Sequence, residues 1–222
     1  MSTVPVTVAV ADLVTLIDPQ DAQTAEGRES PQVRALIEAA RGGDREAFGD
    51  LVALHERIVL RTTMAALRAR EDAEDAAQDA FVVAWQKLEG FRGDATFKTW
   101  LLTIAWRKAL DKRRQRQTWW TRVRTNAPGP DAVEIDPIET LPGSGPDPER
   151  TAVSVDLARH VRRAIAGLSP KLRDTLLLAA TGEHTYEEIA AILNVPLGTV
   201  KWRVAEARRL VNEQVPVARV ER

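Results

Sequence analysis

FKTWLLTIAWRKALDKRRQRQTWWTRVR, residues 97–124, carries nine Lys or Arg against a single acid, Asp111, and reads as one long helix and its exit. Five of the chain's six tryptophans and all four phenylalanines fall between Phe48 and Arg124, in and around this run. Aromatic faces suit unpaired bases and cations suit phosphates, which together make a surface for single-stranded nucleic acid. The same composition also fits an amphipathic helix with a solvated basic face and buried tryptophans. This segment alone leaves both readings open.

Upstream, Ser30-Pro31 reads as an N-cap followed by a first-turn proline. Val33, Leu36, Ile37 and Ala40 then recur at helical spacing, and Gly42-Gly43 ends that helix. Asp44 is placed to cap a second helix, with an apolar face of Phe48, Leu51, Val52, His55, Val59 and Thr62. A third helix, about 72 to 88 by its pattern, has Ala76, Ala77, Ala80, Phe81, Ala84, Trp85 and Leu88 on one stripe. A loop, EGFRGD, leads out of it. Asp94 is expected to cap the basic helix, whose buried stripe begins Phe97, Trp100, Leu101, Ile104 and Ala105.

Downstream, residues 126–149 hold six of the twelve prolines and six acids, with no Lys or Arg. Such a stretch cannot bury a core and is expected to be an extended linker. Order resumes at Asp156, with Leu157, Val161, Ala164, Ile165 and Leu168 on one stripe. Ser169-Pro170 repeats the cap-plus-proline start, and Leu172, Leu176 and Ala179 or Ala180 follow. Every element reads helical and no period-two pattern appears. The fold class is therefore all-α, two small helical domains joined by an acidic Pro-rich linker. The expected divisions are an acidic N-terminal arm at 1–29, a first domain at 30–120, a linker at 121–154, a second domain at 155–214 and a tail at 215–222.

Residues 185–211 read TYEEIAAILNVPLGTVKWRVAEARRLV. Thr185 and Glu188 have capping-box spacing. Ile189, Ala190 and Leu193 face inward, and Asn194 stands where a tight turn needs a left-handed residue. Pro196-Leu197-Gly198 stops the first helix, and a second is expected from Thr199, with Val200 and Val204 inward. Two helices, a tight turn and a small Ala190 at the crossing make a helix-turn-helix. Its second helix would enter the major groove with Thr199, Lys201, Trp202 and Arg203 exposed. The competing reading is a plain helical hairpin with a basic surface.

The whole chain of 222 residues has a net charge of −1, so only the distribution of charge points to a polyanion. No cysteine is present, which excludes disulfides, thiol catalysis and Cys-based zinc sites. With three scattered histidines, a metal site would need carboxylates. No metal or cofactor is expected. No stretch approaches the roughly 18 apolar residues of a membrane span. The N-terminus lacks a basic n-region and Asp12 interrupts its apolar run, so a signal peptide is not expected and a cytoplasmic location is.

Taken together, the two separated motifs resemble a bacterial sigma-70-family sigma factor of the extracytoplasmic-function (ECF) group. DAEDAAQDAFVVAW and FRGDATFKTWLLTIAWRKALDKRR are similar to region 2. LSPKLRDTLLLAATGEHTYEEIAAILNVPLGTVKWRVAEAR is similar to region 4. The resemblance implies a factor that directs core RNA polymerase to promoters and opens the −10 element. Partners implied are core polymerase (through the β′ clamp helices and the β flap), promoter DNA and, as a candidate, an anti-sigma factor, with no membrane insertion. Asp72, Glu74, Asp75, Gln78 and Asp79 match the polymerase-docking helix. Carboxylates beside a buried stripe suit a basic coiled coil, chiefly for register and on-rate.

The resemblance also places an extruded −10 base near the loop Phe91, Arg92, Gly93, Asp94 and Thr96. Lys98, Arg107, Lys108, Lys112, Arg113 and Arg114 would hold the backbone. Trp100 reads as core, whereas Trp106 and the Trp119-Trp120 pair are candidates for exposed stacking. In the −35 reader the implied residues are Thr185, Pro196, Thr199, Lys201, Trp202, Arg203, Glu206 and Arg208. The chain departs from the group's usual pattern at Arg107, where Asn is common. It departs again at Trp202, where Ser is common, and at Glu206, where a basic residue is common. Glu206 cannot neutralise phosphate but can accept from cytosine N4.

Two other functions are considered. Asp72, Asp75 and Asp79 share a helix face and could hold Mg²⁺ in a nuclease, but no nucleophile or supporting histidine accompanies them. A helix-turn-helix regulator that binds duplex without polymerase would leave the aromatic-basic helix and the acidic helix without a purpose.

Overall fold

The structure is a computed structural model that describes residues 29–67, 69–125 and 160–215, with the side chains of 120–125 outside that description. All regular structure among the described residues is helical. The chain divides into two compact units, taken separately below. Residues 121–125 of the expected linker instead continue the last helix of the first domain, and the rest of that linker falls outside the described residues.

In the first unit, α1 (Pro31–Arg41) begins where Ser30 accepts a hydrogen bond from the Val33 amide at 3.2 Å, with proline at the first turn. Gly43, at φ 94°, turns the chain in a conformation that costs an L side chain energy. Asp44 then caps α2 (Arg45–Ala66), accepting from the Glu46 and Ala47 amides at 2.9 and 3.1 Å. Both starts are as the sequence predicts.

The buried face of α2 is Ala47, Leu51, His55, Val59, Thr62, Thr63 and Ala66, with Phe48 and Val52 at its half-buried margin. Its polar members are satisfied locally. The His55 Nδ1 lies 2.8 Å from the Leu51 carbonyl. The Thr63 hydroxyl is 2.9 Å from both the Leu60 carbonyl and, across to the next helix, the Ala73 carbonyl.

The third helix, α3 (Arg70–Lys87), buries Ala73, Ala76, Ala77, Ala80 and Ala84. Five methyl groups let the neighbouring helices come close, because interaxial distance follows side-chain size at the crossing. One turn of 3₁₀ helix (Leu88–Gly90) and an exposed loop lead to α4 (Phe97–Thr125), which runs antiparallel to α3 and packs on both α2 and α3. Its core residues are Phe97, Leu101, Leu102, Ala105, Trp106 and Ala109. The stripe thus turns away from Trp100 and Ile104, which are half-buried, and towards Trp106.

In the second unit, a helix whose described part is 160–167 (α5) meets α6 (Pro170–Ala180) and α8 (Leu197–Gln214). Ala164, Leu168, Leu176, Ala207 and Val211 form their shared core, flanked by Ile165, Leu172, Leu210 and Val215. Ser169 stands at the N-cap of α6 before Pro170, but its side chain makes no capping hydrogen bond. The short α7 (Tyr186–Leu193) completes the helical pair with α8.

The alanine stripe makes α3 intolerant of bulk. Ala80→Leu is expected to destabilise the first unit by about 1–3 kcal/mol through overpacking. Chemical denaturation of the purified variant measures it.

Candidate nucleic-acid interface

The loop before α4 is held at both ends. At its start Phe91 is 8% exposed, in ring contact with Phe97 and Trp100 at centroid distances of 5.9 and 5.1 Å. Arg41 of α1 reaches across and donates to the Phe91 carbonyl at 2.6 Å and the Glu89 carbonyl at 3.2 Å. At its end the Thr96 hydroxyl accepts from the Thr99 amide at 3.2 Å, the N-cap geometry. Glu29, the last residue of the expected acidic arm, accepts from the Phe97 amide.

Asp94 is therefore not the cap. It sits two residues too early, exposed, and Thr96 occupies the position from which a short side chain reaches the third amide. Between the fixed ends Arg92, Gly93, Asp94 and Ala95 are exposed, with Gly93 at φ 78°.

Two aromatic expectations are corrected. Trp106 is 1% exposed and is among the largest fully buried side chains, so its ring cannot be a stacking surface. Its indole N–H has no hydrogen-bond partner. Phe91 likewise belongs to the aromatic core cluster rather than to an open platform. Trp119 is 56% exposed, whereas the Trp120 side chain falls outside the described residues.

The cations of α4 divide by face. Arg107 is exposed, and Arg114 pairs with Asp111 one turn away at 2.7 Å. Lys98 and Arg113 are half-buried. Lys108 and Lys112 instead point at α3. Lys108 lies 4.0 Å from Asp79, and Lys112 lies 2.6 Å from Asp75 and 3.8 Å from Asp72. Arg116 extends the series, 2.8 Å from Asp72. The acids taken as one partner's contacts and the cations taken as another's are thus paired with each other.

Each such partly exposed pair contributes about 0.2–1 kcal/mol. Arg116 and the pairing are not among the sequence expectations. The signal was present in the i, i+4, i+8 spacing of Lys108, Lys112 and Arg116, but only an antiparallel α3 beside it gives that spacing a meaning. Glu74 is engaged within α3 by Arg70 at 2.7 Å, and Gln78 is exposed. Among the described residues no group of three or more His, Asp or Glu is arranged to hold a metal ion. Asp72, Asp75 and Asp79 spread along the basic helix instead of converging.

The second unit presents the helical pair. Thr185 and Glu188 cap reciprocally: the Glu188 amide donates to the Thr185 hydroxyl at 3.2 Å and the Thr185 amide to the Glu188 carboxylate at 3.0 Å. Asn194 adopts φ 53°, the left-handed turn the sequence calls for. The second helix starts at Leu197, two residues earlier than Thr199, because Pro196 takes the N-cap position with an extended backbone. Lys201 and Trp202 are exposed, Trp202 by 62%, and Thr199 and Arg203 are half-buried.

Glu206 is committed elsewhere. Its two oxygens accept from Arg209 at 2.7 and 2.9 Å, and this hydrogen bonding holds its carboxyl below the usual carboxylate range. Arg209, which also donates to Glu213, is raised in turn by Glu206. An acid on this helix is thereby neutralised in place, with each carboxylate oxygen already accepting one hydrogen bond. Arg208 shows the reverse: its Nε and Nη2 are enclosed and meet no hydrogen-bond acceptor.

Residues 51–119 match Sigma-70 region 2, and residues 158–211 match Sigma-70, region 4. The ECF sigma-E factor of Escherichia coli K12 is 32% identical over 187 residues, covering 82% of this chain and 93% of that protein. The ECF sigma factor SigW of Bacillus subtilis is 28% identical over 183 residues, covering 82% and 96%.

Among solved structures, CnrH in complex with the cytosolic domain of CnrY superposes with a TM-score of 0.56 at 25% identity, covering 82% of this chain and 96% of that one. The sigma factor RpoE of Bartonella quintana, solved with the anti-sigma factor NepR, gives 0.55 at 27% identity, covering 78% and 98%. Two helical units bearing regions 2 and 4 define a promoter-directing subunit of RNA polymerase. The chain belongs to the sigma-70 family, within the ECF group.

Burial separates the tryptophans experimentally. Trp106→Phe is expected to lower the melting temperature and leave the affinity of the folded protein for a single-stranded oligonucleotide unchanged. Trp119→Ala is expected to keep the melting temperature and weaken that affinity by about 1–3 kcal/mol, one stacked base. Fluorescence anisotropy with thermal denaturation distinguishes the two. In the second unit, Arg209→Ala is expected to raise the Glu206 pKa towards the ordinary glutamate value, read by NMR titration.

Proposed function

We propose that this chain is a non-catalytic initiation factor that divides its work among three surfaces. The exposed side of α3, with Asp75, Gln78 and Asp79, docks on a basic helical surface of core polymerase, the β′ clamp helices. The loop Arg92–Thr96 and the cations of α4 receive the −10 strand. The helix α8, with Lys201, Trp202 and Arg203, enters the major groove of the −35 element, and the second unit meets the β flap. An anti-sigma factor is the candidate regulator, as the similar sigma factor RpoE was solved in complex with one, NepR. No helix among the described residues is long and apolar enough to cross a membrane, and the proposed place of action is the cytoplasm beside polymerase.

One observation carries the reading: a short exposed loop, clamped at both ends, opens directly into a helix rich in cations. Holding an unpaired base returns about 1–3 kcal/mol by stacking, against a few kcal/mol for unstacking it. A loop whose ends are already ordered adds little further entropy cost to that exchange. An ordinary duplex-binding regulator has no use for it.

Asp75→Asn with Asp79→Asn is expected to weaken core-polymerase binding about tenfold while circular dichroism stays unchanged, since these carboxylates are rim contacts. Binding by pull-down or fluorescence at wild-type level removes the docking assignment. Run-off transcription with core polymerase and a promoter library, with permanganate footprinting of unpaired thymines, tests the opening step. Asp94→Pro is expected to spare closed complexes and block opening.

A further inference from the structure

Both ends of the loop before α4 are tied to one helix, α1, at separations of 50 and 68 residues along the chain. Arg41 is the last residue of α1. Its guanidinium works as a fork. Nη1 donates to the Glu38 carboxylate one turn back at 3.0 Å, and Nη2 donates to the Phe91 and Glu89 carbonyls at 2.6 and 3.2 Å. Those carbonyls close the 3₁₀ turn, where no further helical amide follows to meet them. At the other end of α1, the Glu29 carboxylate accepts from the amide of Phe97, the first residue of α4. Arg34 donates to the Glu29 carbonyl at 3.3 Å, so Glu29 is itself fastened to α1.

The helix that carries both tethers is fixed in the fold. Ile37 and Ala40 are each 3% exposed, and Ser30 caps its start. Its 11 residues make a strut of about 16 Å. The planar guanidinium at one end holds its acceptors in a set direction, which a flexible ammonium would not. The match to Sigma-70 region 2 starts at residue 51, so α1 and both tethers lie ahead of it.

We infer that α1 is a brace for base capture, with Arg41 and Glu29 as positioning residues for promoter opening. This rests on the assignment of the −10 strand to the loop. Neither residue needs to touch the strand. Arg92, Gly93, Asp94 and Ala95 stand exposed between the tethers. Fixing their backbone has an entropy cost. With both ends already held, less of that cost falls on the moment of capture. Loss of either tether frees one end, and the loop must then order while it takes the base. Charge alone predicts something different at Glu29. That acid has the same sign as the strand, so its removal would favour strand binding, whereas loss of a brace slows opening.

The full chain, free in solution, gives the first readout. The ¹⁵N order parameter of the Gly93 amide is expected near ~0.85 in the wild type and below about 0.6 in Arg41→Ala and in Glu29→Ala. The second readout uses core polymerase and a duplex promoter chosen from the run-off library, followed by permanganate over time. Each variant is expected to open the −10 element about tenfold more slowly, the loss of one charge-assisted hydrogen bond. Core binding and closed complexes stay at wild-type level. A template already unpaired at −10 is expected to restore run-off to within about twofold, because its bases are unstacked beforehand.

Glu29→Gln keeps an acceptor oxygen for the Phe97 amide and is expected to restore both readouts. Arg45→Ala removes an exposed cation at the start of α2, outside the loop, and is expected to leave both unchanged. Where Arg41→Ala loses helix content, Glu29→Ala carries the test. Unchanged Gly93 order in both tether variants overturns the inference. So does a loosened loop that opens promoters at the wild-type rate, faster opening in Glu29→Ala, or an equal defect on the unpaired template. The loop assignment is judged separately by Asp94→Pro, which leaves both tethers in place. Normal opening there removes the assignment and the brace with it. Blocked opening there, beside wild-type opening in the tether variants, removes the brace alone.

Discussion

The close approach of α3 to α4 is the constraint on which the first unit depends. It follows from five buried alanines on α3, where larger side chains would hold the helices apart. Because the backbones are near, short aspartates can meet the lysines and Arg116 of the opposite helix directly. The same approach turns the stripe of α4 so that Trp106 points inward and fills the centre. Packing and electrostatics are thus not separate layers here. The charge pattern on the outside is set by how small the side chains are on the inside.

The second unit solves a different problem. It must present one exposed helix face in a fixed attitude, and local chemistry does most of this. A reciprocal cap starts α7, a left-handed Asn194 makes the turn, and Pro196 sets the first residue of α8. The core of Ala164, Leu168, Leu176, Ala207 and Val211 then holds the far half of α8 against its neighbours. Trp202 is left outward on the near half. The pairing of Glu206 with Arg209 lets the helix carry an acid near the expected path of a polyanion without repelling it.

What the sequence could announce were features governed by neighbours in the chain. Ser30, Asp44, Thr185 with Glu188 and Asn194 are all local devices, and each acts as its spacing implies. The all-α class follows from the same short-range periodicity. Sequence and structure differ where distant residues decide. Asp94 looks like a cap until Thr96 and Glu29 are seen to serve the α4 terminus. Trp106 looks available because a helix rich in cations hides which of its faces meets the core.

Arg41 could not be found by motif at all, since its role depends on carbonyls 48 and 50 residues away. Acidic and basic residues look like contacts of different partners because the sequence keeps them in separate runs. Antiparallel packing brings those runs together.

The loop between Phe91 and Thr96 has a further consequence for how such a factor can diversify. Its anchors lie outside it: Arg41 on one side, the aromatic cluster beneath, Thr96 and Glu29 on the other. The residues in between carry none of the fold's weight except Gly93, whose φ of 78° fixes the bend. Arg92, Asp94 and Ala95 can accordingly vary in lineage after lineage while the helices keep their register. The scaffold behaves as a socket with an interchangeable tip, and substitutions there need not pass through an unfolded ancestor.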